Sequence, residues 1–221
     1  MDVLLNPDVL NNLWLGTRIT LSLTLLASVG GLVLGLLAAI AKSSRVAVLR
    51  WVAVTYIEVF RGTPLLVQLF FLYFALPQIT GVTLPAFTTA AIGLSLFAGA
   101  YTAEIVRGSL NAVASGQREA ATALGLRPLQ VLTQVQLPQA TRIALPALGN
   151  QFIGLLKDSS LASVITVTEL LLTTRGMVAA TFQPVALYAA TGAIYFVLSN
   201  VASRVFAALE YRLNRPYRTA A

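Results

Sequence analysis

ITLSLTLLASVGGLVLGLLAAIA, residues Ile19–Ala41, contains no ionisable side chain. It is long enough to cross a bilayer as a helix, which takes about 20 apolar residues. Further apolar runs lie near 48–76, 86–106, 139–157 and 182–209, so five crossings are expected. The fourth is interrupted by Arg142, Pro146, Gly149 and Asn150 and stops at Lys157-Asp158. Composition agrees: 57% of the 221 residues are hydrophobic and 10% are charged, against roughly 25% charged in soluble domains. The expected fold class is an all-α polytopic membrane protein. No internal repeat or low-complexity linker divides the chain, so one transmembrane domain is expected over 1–221, with its membrane core at 15–210. Asp2 and Asp8 are the only charges before Arg18, and no small-residue cleavage site follows the first run, which makes that run an anchor rather than a removed signal. Cysteine and histidine are absent. Disulfides, imidazole metal sites and thiol or imidazole catalysis are thereby excluded.

The net charge of +7 is unevenly spread. With the N-terminus outside, the inner segments hold Lys42, Arg45, Arg50, Arg107, Arg118, Arg127, Arg142, Arg204, Arg212, Arg215 and Arg218. Only Arg18, Arg61, Lys157 and Arg175 remain elsewhere. The positive-inside rule therefore favours an outside N-terminus and an inside C-terminus. On this reading the basic residues are membrane anchors, and nucleic acid is not an expected partner.

The longest inner loop, 108–138, contains EAATALGLRPLQVLTQVQLP at Glu119–Pro138. Ala112–Leu124 has good helix propensity but too little apolar length to span. Gly125 suits a left-handed helix end, and Pro128 suits the first turn of a second helix. Leu129, Val131, Leu132 and Val135 give that second short helix an apolar face, and Pro138 marks the entry to the fourth span. The expected product is an exposed knob of two short helices; the plainer alternative is an interfacial amphipathic connector.

The spacing of Glu119-Ala120-Ala121, Gly125, Val135, Leu137 and Pro138 resembles the cytoplasmic EAA loop of ABC importer permeases. Other stretches resemble the polar amino acid uptake branch of that family: Glu58 to Leu65 (EVFRGTPL), Gly99 to Glu104 (GAYTAE), Gly116-Gln117, Leu137 to Ala140 (LPQA), Asn150-Gln151-Phe152 and Leu156 to Leu161 (LKDSSL). The resemblance covers roughly 15–172, with Val135 standing where isoleucine is common. It implies the transmembrane subunit of an ATP-driven importer for a polar or charged amino acid in a bacterial cytoplasmic (inner) membrane, working by alternating access. Glu119, Ala120, Ala121, Gly125, Leu137 and Pro138 would couple to the ATPase. The implied partners are an ABC ATPase dimer, a second copy or a homologous permease, an extracytoplasmic solute-binding protein, the amino acid and membrane lipid. The chain has no GxxxxGK[ST] loop, so it is not expected to be an enzyme or to hold a cofactor or metal. ATP and Mg belong to the partner.

Ionisable groups inside spans are functional candidates because the bilayer penalises them. Glu58 and Arg61 are three apart, on one helical face, and are expected to pair, with Pro64 weakening the helix just beyond. Lys157-Asp158-Ser159-Ser160 is expected to break the fourth span. Ser159 and Ser160 would cap a restarted helix whose positive end faces an anion, while Asp158 accepts a cation. The simple alternative is a capped helix end with Lys157 snorkelling outward. Glu58, Arg61, Asp158, Ser159, Ser160 and Asn150 are thus the candidate substrate-path residues, although Asn150 also suits a hydrogen bond across helices. Glu104 and Arg107 suit a brace at the mouth of the inner loop, and Glu169 with Arg175 suits an external loop. Gly30, Gly31, Gly35, Gly93, Gly99 and Ala100 favour close helix packing. Two other classes compete: an ion-coupled secondary transporter or channel, and an intramembrane enzyme using Ser159 or Ser160 with Lys157.

Overall fold

The computed structural model describes residues 2–218, with the side chains of residues 3–214. Asp2, Arg215 and Arg218, which entered the charge count, lie outside the described side chains. The helices are α1 (Pro7–Lys42), α2 (Ala47–Gly62), α3 (Leu65–Thr80), α4 (Ala86–Asn111), α5 (Ser115–Ala123), α6 (Pro128–Ile165), α7 (Leu170–Thr181) and α8 (Pro184–Arg218). No strand occurs among the described residues. α1, α4 and α8 are long and apolar enough to cross a membrane singly. The pairs α2 with α3 and α6 with α7 are broken, bent by 110° and 54°, and bring the crossings to five if each pair counts once.

α1 starts before its apolar run because Pro7 occupies its first turn and Asn6 Oδ1 accepts from the Asp8 amide at 2.9 Å. It packs along α4, where small residues allow close approach. A Cβ added at Gly31 would lie 2.6 Å from Ala98 Cβ, and one at Gly35 would lie 2.5 Å from Thr102 Cβ. Around this seam Leu23, Ala27, Leu65, Leu69, Ala90, Leu94, Leu155 and Ile165 form the largest buried cluster.

The second apolar run is not one crossing helix. Thr63 takes extended backbone before Pro64, as steric contact with the proline ring favours. The carbonyls freed there are recovered by Gln68, whose Nε2 donates to Phe60 O at 3.0 Å and to Thr63 O at 3.1 Å. Lys42 precedes α2 and Arg61 nearly ends it, yet both reach Glu104 of α4. An α2 running back alongside α1 would carry Arg61 about 20 Å away from that end at about 1.5 Å per residue. α2 therefore lies obliquely across α1 and α4 at the end marked by Lys42, and α3 turns away from it into the bundle.

Two π-helical stretches, Phe71–Ala75 in α3 and Val131–Gln136 in α6, each end two residues before a proline, Pro77 and Pro138. Proline lacks the amide for the carbonyl four residues earlier and its ring crowds that carbonyl, so the helix widens locally. In α6, Gln139 Nε2 donates to Val135 O at 2.9 Å. The expected second short helix of the inner loop is consequently the first part of α6 itself, joined through this widened stretch to the fourth span.

Gly35→Ala is expected to cost about 1–3 kcal/mol by overpacking the α1–α4 seam, seen as a lower thermal midpoint of the solubilised protein. Gly192→Ala, where an added Cβ meets nothing within 4 Å, should leave the midpoint unlowered or slightly raised, because alanine favours helix over glycine.

Candidate functional site

Four regions carry the candidate residues. In the inner loop, α5 ends where Gly125 takes φ 80°. Gly125 N donates to Thr122 O at 2.9 Å and Leu126 N to Ala121 O at 3.2 Å, which satisfies the last carbonyls of α5. Gln130 Oε1 then accepts from Arg127 N at 2.8 Å, and Pro128 opens α6. Ala121, Val113 and Val131 are buried inside this knob. Glu119, Ala120 and Gly125 are exposed, with Leu124 at 81% and Leu129 at 70% exposure. Leu137 and Pro138 sit at the joint between the widened stretch and the rest of α6 rather than on the tip.

The second region is an ion cluster. Glu104 accepts from Lys42 Nζ at 2.7 Å and from Arg107 Nη2 at 3.0 Å. Arg61 Nη1 approaches the same carboxylate at 3.8 Å, beyond hydrogen-bond reach, and its guanidinium lies 5.5 Å from the Tyr101 ring centre. One carboxylate thus faces three cations from α1, α2 and α4. The expected Glu58–Arg61 pair does not form. Glu58 is exposed, and it makes no hydrogen bond or ion pair among the described residues. The break at Pro64 explains the difference, because it holds Arg61 at the level of Lys42 and Arg107 instead of mid-span. From Arg61 a partly exposed row continues through Tyr101 and Phe97, whose rings are 4.8 Å apart. Phe97, Leu161, Val164 and Tyr73 each pack against the main buried cluster, and Tyr73 Oη lies 3.4 Å from Thr166 Oγ1.

The third region corrects the expected break at Asp158. The α-helical part of α6 ends there, but Ser159–Ile165 continues as 3-10 helix. Ser159 Oγ donates to Leu156 O and Ser160 Oγ to Lys157 O, each at 2.7 Å. These bonds reach back three residues, the spacing of a 3-10 turn. Neither serine caps a restarted helix, and Ser159 is wholly buried; Asp158 is only partly covered. The chain breaks later, at Thr166 with φ 69°. The first amides of α7 are already occupied: Leu170 N donates to Thr20 Oγ1 at 3.2 Å, and Leu171 N and Leu172 N donate to the Glu169 carboxylate at 2.8 Å each. Glu169, expected as a loop charge, is fully buried and also accepts from Tyr195 Oη at 2.9 Å. The positive end of the restarted helix faces this internal carboxylate, so it is not open to a substrate anion.

On α6, Asn150 is exposed and makes no hydrogen bond among the described residues. The neighbouring Gln151 makes the cross-helix bonds, donating from Nε2 to Ala98 O at 2.6 Å and to Thr102 Oγ1 at 3.2 Å. Its Oε1 and Ser28 Oγ make no hydrogen bond among the described residues. Both residues line a cleft of about 260 Å³ among α1, α4, α6 and α8, otherwise walled mainly by apolar side chains such as Leu148 and Phe206.

Residues 31–215 match the family described as the inner membrane component of binding-protein-dependent transport systems. The chain belongs to this family of permeases. It is 41% identical over 201 residues to an L-cystine transport system permease protein of Bacillus subtilis (strain 168), covering 90% of this chain and 86% of that one. It is 40% identical over 199 residues to the glutamine transport system permease protein of Escherichia coli (strain K12), covering 90% and 91%. A crystal structure of an amino acid ABC transporter with histidines superposes with TM-score 0.90 at 39% identity, covering 96% of this chain and 99% of that one. An inward-facing methionine ABC transporter shares the fold, with TM-score 0.77 at 19% identity over 94% of this chain and 99% of that one.

This permease is therefore a membrane-spanning ABC transport subunit and not an enzyme, and hydrolysis belongs to a separate ATPase subunit. The family also decides against a secondary transporter or channel. Sequence spacing located the knob and the Glu104–Arg107 pair but missed Glu104 as a hub, because its Lys42 partner is 62 positions away. It missed Glu169 because glutamate is not among the preferred helix N-caps. The run Thr-Glu before an apolar stretch was the available signal.

Glu104→Ala should lower the thermal midpoint by the equivalent of about 1–3 kcal/mol, because three cations lose their partner. Glu58→Gln should not move the midpoint, and an equal loss in both variants would show that the cluster is not what holds these helices.

Proposed function

We propose that this permease carries a polar or charged amino acid, with its N-terminus outside and its C-terminus in the cytoplasm. The relatives named for cystine and glutamine transport support the substrate class. The crowding of basic residues into segments on one side supports the orientation. The observation that carries the mechanism is the exposed knob. Leu124 and Leu129 stand far out of a tip whose shape is held by Gly125 and a small buried core. Such a tip suits a groove on an ATPase, which would bind the ATP and Mg that this chain has no loop to hold. Glu119, Ala120, Ala121 and Gly125 shape or present that tip, and Leu137 with Pro138 transmits its movement into α6 through the widened stretch.

The exposed face of α6 with Ile143, Pro146, Ala147, Asn150 and Lys157 carries one large apolar residue, whereas α1 exposes Leu25, Leu26, Val29, Leu32, Val33, Leu36 and Leu37. An uncovered amide is costly against lipid. The α6 face accordingly suits a watered pathway shared with a second permease, either another copy or a homologue, and α1 suits lipid. A solute-binding protein would deliver the amino acid from outside. In the path we retain Asn150, Arg61 and the partly covered Asp158 as substrate contacts, add Tyr101, and assign Ser159 to the core. Ser160 and Glu58 stay at the margin of the path.

Gly125→Val forces a β-branched residue into left-handed backbone, at a cost of about 1–2 kcal/mol, and should reduce ATP-driven uptake in proteoliposomes at least about tenfold while the permease still inserts. Normal ATPase association and uptake would place coupling elsewhere. Uptake by the permease with no ATPase present would overturn the functional reading itself. For the path, Asn150→Leu should raise KM for the amino acid more than it lowers maximal uptake.

A further inference from the structure

We propose that α2 is an interfacial helix that seats an anionic phospholipid of the inner leaflet, its phosphate on Arg50 and Arg45 and its acyl chain along the groove beside Trp51. This rests on the orientation proposed above, which puts the Lys42 end of the bundle on the cytoplasmic side. Four observations lead to it.

The first is position. α2 lies across α1 and α4 at that end, because Lys42 before it and Arg61 at its close share Glu104. A helix placed there lies at the depth of headgroups and upper acyl chains. The second is its surface. Only Ala53 and Ile57 of α2 are buried, while Val48 and Trp51 are each 70% exposed and Leu49 and Val52 are about half exposed. Ala47, Val48, Arg50, Trp51 and Val54 line a shallow, open groove along the surface of this one helix. Apolar residues exposed to this degree need lipid or protein cover.

Charge is the third. Lys42, Arg45 and Arg50 lie in a stretch with no acidic residue between Asp8 and Glu58. Arg45 and Arg50 are exposed and make no ion pair among the described residues. The fourth is the combination of groups. An apolar groove next to a guanidinium and an indole matches the layered chemistry of a phospholipid, with acyl chain, glycerol level and phosphate in order. A neutral lipid leaves the arginines without a counter-charge, and a soluble anion leaves the groove uncovered. A second copy of this face would bring Arg45 and Arg50 against the same residues, which like charges disfavour. An anionic lipid satisfies both needs.

The consequence reaches the mouth of the pathway. α2 runs directly into Arg61, the most loosely held cation on Glu104. A lipid that restrains α2 also restrains where Arg61 sits, so transport should depend on anionic lipid through this helix.

The test uses the complete transporter, with its ATPase and binding protein, in nanodiscs of phosphatidylcholine with or without a minority of phosphatidylglycerol. Native mass spectrometry should show preferential retention of phosphatidylglycerol, and ATP hydrolysis stimulated by the loaded binding protein should rise with it. Arg45→Gln with Arg50→Gln should reduce both preferences about fivefold per arginine, as expected when each basic residue near the surface contributes about 1 kcal/mol. Trp51→Ala should weaken retention of both lipids. Unchanged phosphatidylglycerol preference in the double variant overturns the proposal. So does full stimulation in pure phosphatidylcholine, or its restoration by soluble glycerol phosphate, which would make this a free-anion site. Orientation is tested separately. The chain has no cysteine, so Ser44→Cys gives a single thiol. Labelling from outside intact cells by an impermeant reagent would overturn the orientation while leaving the lipid preference of α2 to stand or fall on the nanodisc result.

Discussion

Backbone groups freed inside a membrane have no water to bond, so each break in a helix must be closed by the protein itself. The fold turns on how three such breaks are closed. At Pro64 the carbonyls leaving α2 are taken by Gln68. In the widened stretch before Pro138, Gln139 Nε2 donates to Val135 O. At Thr166 the amides that start α7 are taken by Thr20 and Glu169, and Tyr195 ties the carboxylate to α8. Each closure uses a side chain and thereby fixes the direction of the next helix. A transporter that changes shape needs helices with joints, and these are joints whose hydrogen bonds are accounted for.

The ion cluster on Glu104 follows from the first of these breaks. Because the chain turns at Pro64, Arg61 stays at the end of the bundle where α1 and α4 finish, and one carboxylate gathers cations from three helices. Its charges do not balance, and the looseness of Arg61 at 3.8 Å contrasts with the direct bonds of Lys42 and Arg107. Arg61 also rests over Tyr101, whose ring packs against Phe97. Arg61 therefore touches both the ion cluster and the Tyr101–Phe97 ring pair.

Much of the site was visible from local pattern, and the failures share one cause. Gly125, Pro128 and the surface helix expected over Ala112–Leu124, which forms at Ser115–Ala123, follow from residues within a few positions of one another, and the knob formed as local propensity implies. The Glu58–Arg61 pair was also inferred from local spacing, but spacing on one helix face allows a pair without requiring it. Glu104 offered Arg61 a partner already fixed by Lys42, and α2 was turned to meet it. Ser159 and Ser160 were inferred as caps from residue type, yet both hydroxyls bonded backward into their own turn. Asn150 and Gln151 are adjacent and chemically alike; they point to different surroundings, and only the packing of α6 against α4 decides which one bonds across helices.

The sequence by itself determined that this is an all-α membrane protein with five apolar stretches, no thiol or imidazole chemistry, and a helical knob on its most polar loop. Apolar run length, residue type and short-range spacing are sufficient for those features, because burial in lipid and helix capping act over one or two turns. Tertiary structure alone decided that α2 lies across the bundle, that Glu104 and not Glu58 holds Arg61, that Glu169 is buried under the start of α7, and which face of α6 is uncovered. Those outcomes depend on residues brought together from distant positions, such as Lys42 with Glu104 and Thr20 with Leu170. Local periodicity carries no information about them until the helices are packed.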